Sequence, residues 1–266
     1  MNNIFDFTRF GKYFLYDLRN AKNNYGLSLL ILGTMPVTLF VAYQLLSLIF
    51  TQRIADVNIV TKYMQFAIAL TVAILGAGTK LYGNLTGKRA GANFLMIPAS
   101  SFEKWLSMSL IVCVVLPFVL LALQLCSDVV MAFIFPNSYG NRFFELTALQ
   151  YVVDTMEEAG ITINLPAIFF LDWCESVLTF TVGAVCFKRS KIAKTILCLF
   201  AFSMITSTIA MIFVGNSGTM YIDWFDKFTS PADAARALNW LINIGFIVFV
   251  GGLLGGLYYR VRTLKH

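Results

Sequence analysis

Six apolar runs dictate what this chain can become. Residues 27–50, 63–79, 105–127, 166–187, 195–214 and 238–259 are each long enough to cross bilayer hydrocarbon as a helix, for which about 17–25 residues suffice. Backbone amides in hydrocarbon must find partners within their own segment, so the runs are expected to be helices. Charged residues make up 13% of the 266 positions, about half of what a soluble domain carries. The expected fold is all-α: a polytopic membrane protein with six transmembrane helices, forming one transmembrane domain over 1–266. Pro36 should kink the first span, and Pro117 lies inside the third.

Charge orients these spans. With the amino terminus inside, 15 of the 20 basic residues fall in cytoplasmic segments; Arg53, Lys62, Arg142, Lys227 and Arg236 fall outside. Such a bias sets topology in membrane proteins, so both termini are expected in the cytoplasm. The net charge of +6 therefore belongs to the membrane. No basic run or aromatic recognition motif stands clear of the apolar segments, and nucleic acid is not an expected partner. The first apolar run is too long for a signal-peptide core, so no cleavable leader is expected.

Before the first span, Phe7, Phe10, Phe14, Leu18, Ala21 and Tyr25 fall on one helical face, with Lys12 and Arg19 well away from it. Residues 1–26 are thus expected to contain a helix lying in the membrane surface. The largest hydrophilic excursion, 136–165, has helical apolar spacing over 143–158 and reads as an amphipathic cap on the outer face. Residues 216–229 are polar and aromatic, suited to an interfacial belt. Ser230 followed by Pro231 reads as a helix start.

One polar break differs from the rest. Residues 80–104 carry Lys80, Lys88, Arg89 and Lys104, and 88–97 suffices for a short helix, with Gly83 and Gly87 before it and Pro98 closing it. Ser100 and Glu103 form the S-x-x-E capping box that opens the next helix. Two membrane helices joined by a short structured element are expected here. Residues 83–89 miss the phosphate-loop pattern by one residue between the glycines, and Arg89 stands where a hydroxyl is required.

Other chemistry is sparse. The five cysteines lack C-x-x-C spacing and sit in or at the ends of apolar runs, as buried small hydrophobes do. The only histidine is His266, leaving no material for a histidine-based metal site or triad. No enzyme activity, bound metal or bound cofactor is expected of this chain. Asp172 and Glu175, three apart in the fourth span, share a helix face. They are read either as a polar point on a translocation path or as residues at the outer interface beside Trp173. Gly251, Gly252, Gly255 and Gly256 form two overlapping G-x-x-x-G patterns that permit close helix packing.

The layout resembles the membrane subunit of an ABC-2-type ABC transporter. An amphipathic elbow precedes six spans with both ends inside. Residues 91–104 are similar to the apolar run, Pro-x-Ser and Glu-Lys found near the coupling helix of such permeases, here Gly91, Phe94, Leu95, Met96, Ile97, Pro98, Ala99, Ser100, Ser101, Glu103 and Lys104. The resemblance implies a separate ATP-binding cassette subunit that binds ATP and Mg, and a second permease subunit. It also implies a plasma (bacterial inner) membrane location and export as the activity. Lys88, Arg89, Phe94, Pro98, Ser100 and Glu103 are then expected to couple to the ATPase. The outer excursion 136–165 is longer than that family's layout, whose outer hairpin precedes the last span, where 216–239 lie here.

Two rivals come from other classes. One is an ion-coupled transporter that uses Asp172 and Glu175 without ATP. The other is a non-transporting anchor or sensor whose outer helix binds a ligand or partner.

Overall fold

The computed structural model describes residues 5–53, 56–140, 165–215 and 231–264. Every regular element among them is helical. Helix α1 (Phe7–Gly33) begins at Asp6, whose carboxylate accepts hydrogen bonds from the amides of Thr8 and Arg9 at 2.8 and 3.3 Å. It continues unbroken past residue 26, where a surface helix was expected to give way to a span. The break comes at Thr34, where α1 and α2 (Met35–Thr51) meet at 46°.

Pro36 accounts for that bend. It lacks an amide hydrogen, and its ring cannot approach the carbonyl four residues back, at Leu32. The Leu32 carbonyl instead accepts from Gln124 Nε2 at 2.9 Å, and the next carbonyl, Gly33, accepts from Ser127 Oγ at 2.9 Å. The third span thus supplies the partners that the kink frees.

The buried face of α1 is rotated from the expected stripe. Tyr13, Asp17, Ala21, Tyr25 and Leu29, each four apart, are buried against the bundle, whereas Phe7 is 82% exposed. The row packs on α3 (Ile59–Leu81), α5 (Ser101–Leu110) and α6 (Leu116–Ile134).

From α3 the chain enters a 3-10 turn (Gly83–Thr86) and then α4 (Lys88–Met96). The expected short helix is present, and Ser100 and Glu103 close the expected capping box at the start of α5. Between α5 and α6 the helix widens to a π turn over Ile111–Val115, just before Pro117. Carbonyls loosened there have acquired side-chain donors: Trp173 Nε1 donates to Val112 O at 3.1 Å.

Four helices complete the bundle: α7 (Pro136–Tyr139), α8 (Leu165–Cys186), α9 (Lys191–Gly215) and α10 (Pro231–Thr263). Pro231 opens α10 as its position suggested. The amphipathic segment 143–158, the aromatic segment 216–229 and the Ser230 cap lie outside the described residues. Among the described residues, five helices are long and apolar enough to cross a membrane, six when the bent pair α1–α2 is one span.

Helix α8 is the centre: 44% of its apolar window is buried, against 6% for α9. It lies on α3, whose Ala69, Ala73 and Ala77 are all essentially inaccessible. At Gly78 a Cβ would come within 2.7 Å of Thr181 Cα, so the two backbones meet where no other residue fits. Gly183 is filled in the same way by Thr195 of α9, and Gly33 by Leu123 of α6. These, rather than Gly251, Gly252, Gly255 and Gly256, are the packing glycines within the chain; nothing lies within 4 Å of a Cβ placed at any of those four.

Candidate functional site

The segment joining α3 to α5 is held to the bundle at three points. At its start, Lys191 Nζ donates to Gly83 O and, at 2.9 Å, to Thr86 Oγ1. In its middle, Lys104 Nζ donates to Phe94 O at 2.7 Å, and the ammonium lies 4.8 Å from the centre of the Phe94 ring. At its end, the Glu103 carboxylate is fully buried yet fully used. It accepts from Arg9 Nε at 3.0 and 2.8 Å, from Arg9 Nη2 at 2.8 Å, from the Asp6 amide at 2.9 Å and from the Ser100 amide at 2.8 Å. A buried carboxylate is tolerable only with such partners.

Beneath this clamp lies Asp17. It is 5% exposed and accepts from Tyr82 Oη at 3.1 Å and Ser107 Oγ at 2.7 Å, tying α1 to the end of α3 and to α5. The linker is therefore a folded platform whose entrance, middle and exit are each anchored to a different helix.

This geometry redistributes the expected coupling residues. Lys88 and Arg89 open α4, and their side chains lie outside what is described. Phe94 and Glu103 turn inward, 7% and 0% exposed. Ser100 is half-buried in the capping box, and Pro98 is exposed. The exposed apolar side chains of α4 are Leu95 and Met96, 45% and 80% exposed.

At the opposite end of the bundle is a second polar group that the apolar runs concealed. Lys62, Gln65, Gln124, Asp128 and Tyr139 are all at most 8% exposed and line a hollow of about 10 Å³, room for one water molecule. The Tyr139 hydroxyl donates to Asp128 Oδ1 at 2.7 Å, while the Lys62 ammonium sits 3.7 Å from the ring centre. Phe40 packs edge-on against Tyr139 and closes the apolar side.

Asp172 and Glu175 do not join either group. Asp172 is exposed and Glu175 half-buried, while Trp173 and Cys174 between them face inward. Among the described residues no three His, Cys, Asp or Glu side chains gather as a metal site. All five cysteines are free thiols.

Sequence reasoning missed Asp17, Gln65, Gln124, Asp128 and Tyr139 as site residues, and counted Lys62 only among the basic residues outside the cytoplasmic segments. For Asp17 a signal existed: it interrupts the four-residue series Tyr13, Ala21, Tyr25. The second polar group joins three separate stretches, and no local spacing announces it.

No protein-family model matches the chain, and no curated protein or solved structure is significantly similar to it. The fold itself defines a class: an all-helical protein with several helices suited to spanning a membrane.

Proposed function

We propose that this chain is the membrane-spanning permease subunit of an ABC-type exporter, driven by a separate ATP-binding subunit that docks on the 83–100 platform. The supporting observation is the triple anchoring of that platform by Lys191, Lys104 and Arg9. A connection serving only to join two spans needs no such fixation. A surface that must pass force between a partner and the helices does. On this reading both termini and the platform are cytoplasmic, in a plasma membrane of bacterial inner-membrane type. ATP and Mg belong to the partner, and a second permease subunit packs on the open glycine face of α10.

The direct contacts would be Lys88, Arg89, Leu95 and Met96, with Phe94, Ser100 and Glu103 holding the platform in shape. Affinity purification from native membranes should retain an ATP-binding cassette protein. Lys88→Glu with Arg89→Glu should release it, as charge reversal at an interface slows association and favours dissociation. Retention unchanged by the reversal would overturn the contact assignment.

A second reading is ion-coupled transport without ATP. It is favoured by the buried Lys62–Tyr139–Asp128 group, because charged side chains inside a membrane bundle commonly mark ion paths. Transport that persists without nucleotide and disappears in Asp128→Asn would support it over the first.

A further inference from the structure

Helix α8 ends at Cys186 and α9 begins at Lys191, and both have apolar windows of spanning length: Phe169–Cys186 and Lys191–Thr208. The turn between them therefore sits where hydrocarbon gives way to water. It carries Lys188 and Arg189, both exposed, followed by Lys194 one turn into α9. The Lys194 ammonium lies 5.9 Å from the centre of the Phe187 ring, which keeps it at the turn. Among the described residues none of these three cations has a carboxylate within ion-pair distance. Lys191 is different: its ammonium is committed to Gly83 O and Thr86 Oγ1.

Beside the turn lies an open hollow of about 360 Å³ lined by Thr79, Ser190, Lys191, Ile192 and Ala193. It is a shallow depression, broadly open to its surroundings. Two hydroxyls, Thr79 and Ser190, stand on its rim. Immediately beyond it α9 exposes Ile196, Leu197 and Phe200, at 48%, 66% and 59%. Along the chain, exposed cations at the turn lead into the hydroxyl-rimmed hollow and then into an exposed apolar face of α9.

We infer that this hollow is a binding site for the phosphate headgroup of an anionic phospholipid, whose acyl chains lie along α9. Charge complementarity selects the headgroup, since basic pockets between membrane helices hold anionic heads at about 1 kcal/mol per cation near the surface, roughly fivefold in affinity each. The apolar wall selects a lipid over a free ion, because inorganic phosphate makes no use of Ile196, Leu197 or Phe200. Lys191 supports the site by fixing the start of α9 to the 3-10 turn. The inference is independent of the transporter reading, since it needs only the turn at a membrane boundary.

The test uses the full chain in phosphatidylcholine nanodiscs titrated with phosphatidylglycerol, with retained lipid counted by native mass spectrometry. Lys188→Gln, Arg189→Gln and Lys194→Gln together should weaken phosphatidylglycerol retention about a hundredfold, roughly fivefold per cation. Lys188→Arg with Lys194→Arg should bind as wild type does. Removing the exposed pair Arg19 and Lys22 of α1, as Arg19→Gln with Lys22→Gln, should change little. All three turn cations are exposed, so an unchanged melting temperature of the triple variant will show that folding survived. The inference is overturned if the triple variant retains the lipid normally, or if the α1 variant loses it equally. It is overturned too if inorganic phosphate displaces the lipid at matching concentration, which would make the site one for the free ion.

Discussion

Arg9 and Glu103, 94 residues apart, meet through a guanidinium that reaches both carboxylate oxygens while the carboxylate itself is entirely buried. The same carboxylate accepts the Ser100 amide and so closes the capping box of α5. One side chain thus fixes the start of α1, the exit of the linker and the first turn of the third span.

Replacing Ser100 by Ala should destabilise that first turn by about 1 kcal/mol, the usual cost of a lost helix cap. Arg9→Ala should be worse, because it strips a buried carboxylate of its charged partner. In a double-mutant cycle, Arg9→Ala and Glu103→Gln should be strongly non-additive in melting temperature. Additive effects would mean that the pair does not act as a unit.

Gly78 and Gly252 should behave oppositely. A side chain at Gly78 must push the Thr181 backbone away, so Gly78→Val should cost about 1–3 kcal/mol through overpacking. Gly252 meets nothing within 4 Å, and Gly252→Ala should leave the isolated chain unharmed or stabilise it by up to about 1 kcal/mol, as alanine is the better helix former. Thermal unfolding in detergent distinguishes them. If Gly252→Ala instead splits a purified dimer, the glycine face is where the second subunit packs.

Tyr139→Phe keeps the ring over which Lys62 sits but removes the hydroxyl that Asp128 accepts. The buried carboxylate then loses that donor, at a cost of about 1–3 kcal/mol. Faster hydrogen exchange around residues 131–139 should accompany the loss. Exchange identical to wild type would show that the Tyr139–Asp128 bond does not hold α7 in place.

The legibility of this protein was uneven for physical reasons. Spanning helices announce themselves through composition, and the caps at Ser100 and the kink at Pro36 are local effects of a few neighbouring residues. The rotation of α1 left one trace, the four-residue series through Asp17, but Asp17 looks polar until Tyr82 and Ser107 are seen to satisfy it. Phe94 looked like a partner anchor because nothing local announces that its ring joins the core, beside Lys104 ten residues on. The glycine run in α10 resembled a packing motif more than the isolated Gly78 did, yet only contact with α8 reveals which glycine is indispensable.

The central claim is that residues 83–100 form a rigid platform that an ATP-binding partner grips. Hydrogen–deuterium exchange across this stretch, with the full chain in nanodiscs, tests it most directly. Amides of α4 and of the Ser100 turn should be protected, should lose that protection in Arg9→Ala, and should gain more when the ATP-binding subunit is bound. Exchange at the rate of an unstructured peptide, in wild type and variant alike, would contradict the account.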